Sequence, residues 1–341
     1  MSGLRALAGS AADRFDLPDA VLRGGIATLV GRTARLLDRE RPDPAAFAQR
    51  LATLPIALVP EAANAQHYEL PPEFFGLVLG ARRKYSCCLY ADASTTLDAA
   101  EEAALAETCQ HAELADGQDI LELGCGWGSL SLWMAQRYPN ARITAVSNAR
   151  PQRLHIEAQA ARLGLGNLRI VTADMNDFAP DRVFDRVVSV EMFEHMANWR
   201  SLLARVRTWL RPQGRLFLHV FSHAAHPYRF DETDQGDWIA QHFFTGGMMP
   251  SHDLAGHFPD LFTVAENWRW NGEHYARTAR DWLALFDARE ADVATVLRHV
   301  YGGAWPMWRR RWRIFFLATA GLFGFRGGEV WGVSHHLLRP A

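Results

Sequence analysis

From Gln118 onward the apolar residues fall into short runs separated by longer stretches of helical period. Ile120, Leu121 and Leu123 make the first run, and residues 142–146, 168–172, 185–190 and 214–221 make four more. Runs of this length without strict alternation mark strands buried on both faces. Between them, residues 129–138, 151–163 and 199–210 carry apolar side chains at helical spacing. Such alternation predicts an α/β fold: a mostly parallel sheet covered by helices, with ligands at the carboxyl ends of the strands. Strands at 262–270 and 329–338 bring the expected sheet to seven, with helices at 278–301 and 307–323 between them. Residues 222–261 and 272–328 are then insertions of the kind that build a substrate pocket.

Upstream, residues 20–37 and 44–54 read as amphipathic helices, and Pro55, Pro60, Pro71 and Pro72 punctuate the stretch after them. We assign residues 1–95 to a helical cap and 96–341 to the ligand-bearing domain. Asp98 with Glu101 gives a capping-box-like start to a helix reaching about Leu114. Residues 1–12 lack the apolar core of a signal peptide. The most apolar run, 314–325, is too short to span a bilayer.

Composition narrows the function. The 341 residues can hold one large domain or two modest ones. A hydrophobic share of 49%, a charged share of 22% and a net charge of -2 describe a globular chain without a nucleic-acid footprint or strong attraction to anionic lipid. Cys87, Cys88, Cys109 and Cys125 show neither zinc spacing nor disulfide-scaffold density. The expected setting is therefore cytoplasmic and reducing, with no metal site.

The chemistry concentrates at strand ends. Glu122 lies in the first strand, and Gly124, Gly126 and Gly128 come directly after it. A dinucleotide fingerprint would need glycine where Ser129 stands. An acid followed by Gly-x-Gly-x-Gly instead resembles the first motif of S-adenosylmethionine-dependent methyltransferases. That likeness implies a Rossmann-like class I fold with S-adenosylmethionine as the cofactor. After the second strand Ser147, Asn148 and Gln152 can hydrogen-bond ribose hydroxyls. After the third, Asp174 can accept from an adenine amino group and Met175 can pack on the ring. After the fourth come Glu191, Glu194 and His195. If a helical turn begins at Glu191, the three share a face. Two carboxylates and an imidazole there could hold a cationic amine and accept its proton.

A wider set of segments carries a sharper likeness: Tyr85-Ser-Cys-Cys88, Glu191-Met-Phe-Glu-His-Met196, Trp238-Ile239, Phe243-Phe-Thr-Gly-Gly-Met-Met-Pro-Ser251, Asn271-Gly272, His274-Tyr275 and Glu329-Val-Trp331. With the glycine block, they resemble the cyclopropane fatty acid synthase superfamily, and within it the coclaurine N-methyltransferase branch, from about residue 83 onward. The resemblance implies cofactor contacts at Tyr85, Ser86, Gly124, Asn148, Gln152, Asp174, Met175 and the backbone near Val190. It also implies a general base at Glu194 and His195, with Glu191 assisting in amine recognition. Lipid-modifying members bind bicarbonate, and the matching positions are Cys87, Glu194, His219 and Tyr275. Those members tend to have glycine at position 191, where a carboxylate beside a lipid double bond would be costly to desolvate.

The expected function is N-methylation of a small amine with an aromatic, isoquinoline-like or aryl-alkyl portion. The alternative is cyclopropanation or C-methylation of unsaturated acyl chains. The expected partner is a small molecule, without nucleic acid or stable membrane insertion, and homodimerisation is left open. Trp268, Trp270, Trp305 and Trp331 could stack on a ring or hold a cation, although most tryptophans are expected in the core. The arginines of residues 308–313 could touch lipid or form a solvated face with buried stems.

Overall fold

The computed structural model describes residues 13–58, 70–230 and 238–341. The readings made on residues 1–12 and on Pro60 lie outside these. Five strands, β1 (Asp119–Leu123), β2 (Arg142–Ser147), β3 (Leu168–Thr172), β4 (Phe184–Val190) and β5 (Leu210–His223), run parallel. They join β6 (Phe262–Asn271) and β7 (Trp331–Pro340) in a seven-stranded sheet ordered β3-β2-β1-β4-β5-β7-β6. Only β7 runs against the rest, pairing antiparallel with β5 and β6. This is the mostly parallel, Rossmann-like sheet expected. The strand order reverses between β1 and β4, and that is where the loops diverge and leave a crevice.

Helices α1 (Asp19–Glu40), α2 (Pro44–Leu51), α3 (Pro72–Val78) and α4 (Leu97–His111) precede the sheet. Within it run α5 (Ser129–Arg137), α6 (Arg150–Leu163) and α7 (Trp199–Trp209). Then α8 (Gly272–Ala288), α9 (Glu290–Tyr301) and α10 (Trp305–Phe323) fill the late insertion. Val30, Ala34 and Leu37 of α1 share one core with Trp282, Trp312 and Phe316 of the late helices. The arginines of residues 308–313 are engaged across this junction. Arg309 pairs with Asp16 and Glu290, Arg311 with Asp13, and Arg313 with Asp19 and Asp287. Among the described residues, no helix is long and apolar enough to cross a membrane.

Three local readings change. The helix expected over 278–301 is two, α8 and α9, parted at Arg289, whose guanidinium donates to the main-chain carbonyls of Gly76 (3.3 Å) and Leu77 (2.6 Å) at the end of α3. Pro71 and Pro72 do more than punctuate: Pro72 opens α3, since its missing N–H falls where a helix has no use for one. The cap of α4 is Thr96, which accepts from Ala99 N at 3.3 Å.

Glu101 does not close a capping box. It is fully buried, and it accepts from the main-chain N–H groups of Gly80 (3.1 Å), Arg82 (2.7 Å) and Lys84 (3.0 Å). Burial pushes its pKa up to about 7 against the pull of these donors. The loop so gathered leads directly into Tyr85–Cys88. Glu101→Gln replaces one of two acceptor oxygens with a donor facing an N–H. We expect it to cost about 2 kcal/mol of unfolding free energy, read as a lowered urea midpoint at unchanged slope.

Candidate active site

The loop after β1 sets the floor. Gly124, Gly126 and Gly128 have φ of 80°, 51° and 83°, in the left-handed region that favours glycine. A Cβ on Gly124 would stand 2.6 Å from Cβ of Met192, whereas one on Gly126 would meet open space. Glu122 is buried in β1 and accepts from the Ser131 hydroxyl, so it ties α5 to the sheet.

The cavity at the strand ends encloses about 770 Å³, its mouth included. Its lining holds Gly124, Gly126, Ser147, Asn148, Gln152, Asp174 and Met175, and also Glu191 and His195. The Ser147 hydroxyl donates to Oε1 of Gln152 at 2.6 Å, and Gln152 Nε2 is buried with no partner among the described residues. An unsatisfied buried amide beside an open glycine turn fits a ligand rich in hydroxyls and carboxylate oxygens. The polar groups of this lining fit the hydroxyl and carboxylate oxygens of S-adenosylmethionine.

Sequence reasoning missed part of the wall. Ala57, Met192, Met196, Thr245 and Gly246 also line the cavity. Ala57 is held there by Asn176, whose amide donates to Ala57 O and accepts from Ala57 N, each at 3.1 Å. Thr245 and Gly246 fall inside the Phe243–Ser251 block of the family resemblance, whereas nothing around Ala57 signals its place.

The fourth strand end departs from the expected turn. Glu191 is not helical: its φ is 47°, and the helical turn spans Phe193–His195. The left-handed backbone aims the Glu191 carboxylate inward. There Oε1 accepts from Cys87 N at 3.0 Å and lies 3.3 Å from Nε2 of His219, while Oε2 accepts from the Tyr275 hydroxyl at 2.6 Å. Burial pushes its pKa up. The Lys84 charge opposes that most, followed by Cys87 N–H and the Tyr275 hydroxyl. Lys84, 2% exposed, donates to Ser86 Oγ (2.6 Å) and Cys87 O (2.5 Å).

His195 stacks on Phe244 at 4.9 Å, and burial lowers its pKa to about 4, so the ring is neutral. Glu194 is fully buried, with Oε1 accepting from Phe221 N at 2.6 Å and Oε2 without a partner among the described residues. Burial, then the neighbouring Glu191 charge, raises its pKa well above the carboxylate range.

Glu194, Cys87, His219 and Tyr275 thus stand behind the wall rather than in it, and Tyr85, Ser86 and Val190 do not line the cavity either. Tyr85 packs between Phe75 and Trp282. Trp268, Trp270, Trp305 and Trp331 are absent from the lining as well.

A sequence profile of the mycolic acid cyclopropane synthetase family matches residues 59–324. The chain is 34% identical to the (S)-coclaurine N-methyltransferase of Thalictrum flavum subsp. glaucum over 85% of its length and 81% of that protein's. It is 29% identical to the cyclopropane-fatty-acyl-phospholipid synthase of Escherichia coli (strain K12), over 79% of its length and 66% of the other's. The crystal structure of a coclaurine N-methyltransferase bound to N-methylheliamine and S-adenosylhomocysteine superposes with a TM-score of 0.93 at 31% identity, covering 97% of this chain and 98% of the other.

The cradle makes a binding prediction. Gly124→Ala should raise the Kd for S-adenosylhomocysteine at least tenfold, about 1.4 kcal/mol, and Gln152→Ala should cost about 1 kcal/mol for the lost hydrogen bond. Titration calorimetry reads both. Its sheet order, its glycine cradle and these likenesses agree: the chain belongs to the mycolic acid cyclopropane synthetase family, and it is an S-adenosylmethionine-dependent methyltransferase.

Proposed function

We propose that the protein N-methylates a small amine with an aromatic, isoquinoline-like portion. One observation carries the reading: the Glu191 carboxylate and the neutral His195 ring share a cavity with the cofactor cradle. Bound S-adenosylmethionine supplies a methyl group on a sulfonium whose thioether leaves neutral. The protein must align the acceptor, exclude water and free the amine lone pair, because an ammonium has none. Once ionised, Glu191 pairs with the cation at low dielectric. Glu191 and His195 are the groups placed to take the proton, and Glu194 lies one layer behind. The alkaloid N-methyltransferase relatives support this choice of acceptor.

The lipid alternative rests on the donors at Cys87, His219 and Tyr275. All three converge on the oxygens of Glu191. A bicarbonate held there would have to compete with a carboxyl group already in possession of its donors. That geometry favours the amine.

The test is S-adenosylhomocysteine release in carbonate-free buffer, with benzylisoquinoline and aryl-alkyl amines in one set and unsaturated phospholipid vesicles in the other. Amine turnover is expected to rise with pH as free base accumulates. No histidine step should fall near 6.5, because His195 is neutral down to about 4. Glu191→Gln should lower kcat about 10²-fold and leave S-adenosylhomocysteine affinity unchanged. Turnover confined to vesicles and dependent on bicarbonate would overturn the amine reading.

A further inference from the structure

Behind Glu191 a row of side chains leads away from the cavity across β5 and β7 to α4. Nδ1 of His219 lies 2.8 Å from Nε2 of His335, its partner across the β5–β7 ladder. Nδ1 of His335 lies 2.8 Å from Nδ1 of His111 on α4. His111 Nε2 is 3.8 Å from Oε1 of Glu107, whose side chain is 36% exposed. His219 and His335 are completely buried. Trp270 packs on both rings and donates to Glu107 at 3.2 Å, while Trp268 stacks on His111 at 3.7 Å. Each of the three imidazoles therefore meets one neighbour through each ring nitrogen. The row begins at an active-site carboxylate and ends at a solvent-facing one.

We propose that Glu191 exchanges its proton with solvent through His219, His335 and His111, by a rear path that stays open when cofactor and substrate fill the cavity mouth. The proposal rests on the reading that Glu191 meets an amine cation. When that cation binds beside protonated Glu191, the carboxyl proton passes from Oε1 to His219 Nε2. The Nδ1 proton of His219 passes to His335 Nε2, and the Nδ1 proton of His335 passes to His111 Nδ1. The Nε2 proton of His111 leaves to Glu107 or water.

One proton exits, each ring ends neutral as its other tautomer, and Glu191 is left as the anion that pairs with the cation. A carboxylate accepts from a protonated Nε2 and a carboxylic acid donates to a bare one. The row returns to its starting tautomers when a proton from solvent passes inward by the same contacts to an ionised Glu191.

Neutral rings are what such a hand-over needs. Burial, foremost, lowers the pKa of all three histidines, well below the ordinary value for His219 and His335. Lys84 faces His219 and His335, His336 adjoins His335, and Glu107 and Glu266 face His111. His219 and His335, two fully buried imidazoles, would be a costly substitute for apolar core if they served packing alone.

His111→Ala opens an imidazole-sized gap at the outer end, and His111→Phe fills the same space on Trp268 without a nitrogen. Both are compared with the unaltered protein at low buffer concentration, after their melting temperatures and S-adenosylhomocysteine affinities are shown to match it. We expect kcat with an amine to fall about tenfold in each, short of the roughly 10²-fold cost of a missing general base. Added imidazole should restore the alanine variant and not the phenylalanine variant. In protein loaded with S-adenosylhomocysteine, the infrared carboxylic-acid band lost in Glu191→Gln should relax more slowly after a pH jump in His111→Ala, again restored by imidazole.

Unaltered relaxation, or a loss that imidazole does not mend, overturns the path. Amine turnover absent from the unaltered protein overturns instead the reading it rests on, and the pH jump still decides the path.

Discussion

A carboxylate taken out of water must be met by donors and opposite charge, or it will not stay ionised. Glu191 imposes that demand on this fold. It is met from three directions: Cys87 N and the buried Lys84 on the loop before α4, His219 on β5, and Tyr275 on α8. The loop is itself held by another buried acid, Glu101, through three main-chain N–H groups. Segments far apart in the chain are thus fixed relative to one another by polar contacts whose loss would leave buried groups unpaired. The glycine cradle needs no such support, because backbone conformation alone shapes it.

The same logic organises the helical layer. Four arginines in or beside one turn of α10 could have repelled each other or faced lipid. Instead all four reach acids at 13, 16 and 19 before and within α1, or Glu290 and Asp287 on α9 and α8. Arg310 adds main-chain contacts to Asp13. Exposed pairs contribute little individually, but this set fixes how α1 lies along α10 while Val30, Ala34 and Leu37 supply the apolar packing. The aromatic residues obey the same rule. Trp270 and Trp331 are buried in the core, and Trp305 lies under the Arg298 guanidinium at 4.4 Å.

The sheet was legible because parallel strands buried on both faces leave apolar runs, as at 120–123 and 143–146. The cofactor cradle was legible because glycine spacing and strand-end polar residues are local signals. The reading weakened where one residue's role depends on a distant one. Glu101 matches a capping-box position but spends its carboxylate on residues 80–84. Arg289 interrupts an apolar periodicity that continues on both sides, since its partners are carbonyls at residues 76 and 77.

The sequence by itself determined which residues could do chemistry and at which strand ends they would gather. Side-chain type and local spacing suffice for that: Ser147, Gln152, Asp174, Glu191 and His195 all arrive at one cavity. Only the tertiary structure decided which of the acids faces that cavity, because the choice turns on a left-handed backbone at Glu191 rather than the helical turn its spacing suggested. Only the tertiary structure, too, set His219 against His335 and His335 against His111. These contacts span 116 and 224 positions of sequence. They exist because an antiparallel strand returns along β5 and the last residue of α4 meets it, a long-range pairing that leaves no local trace in the chain.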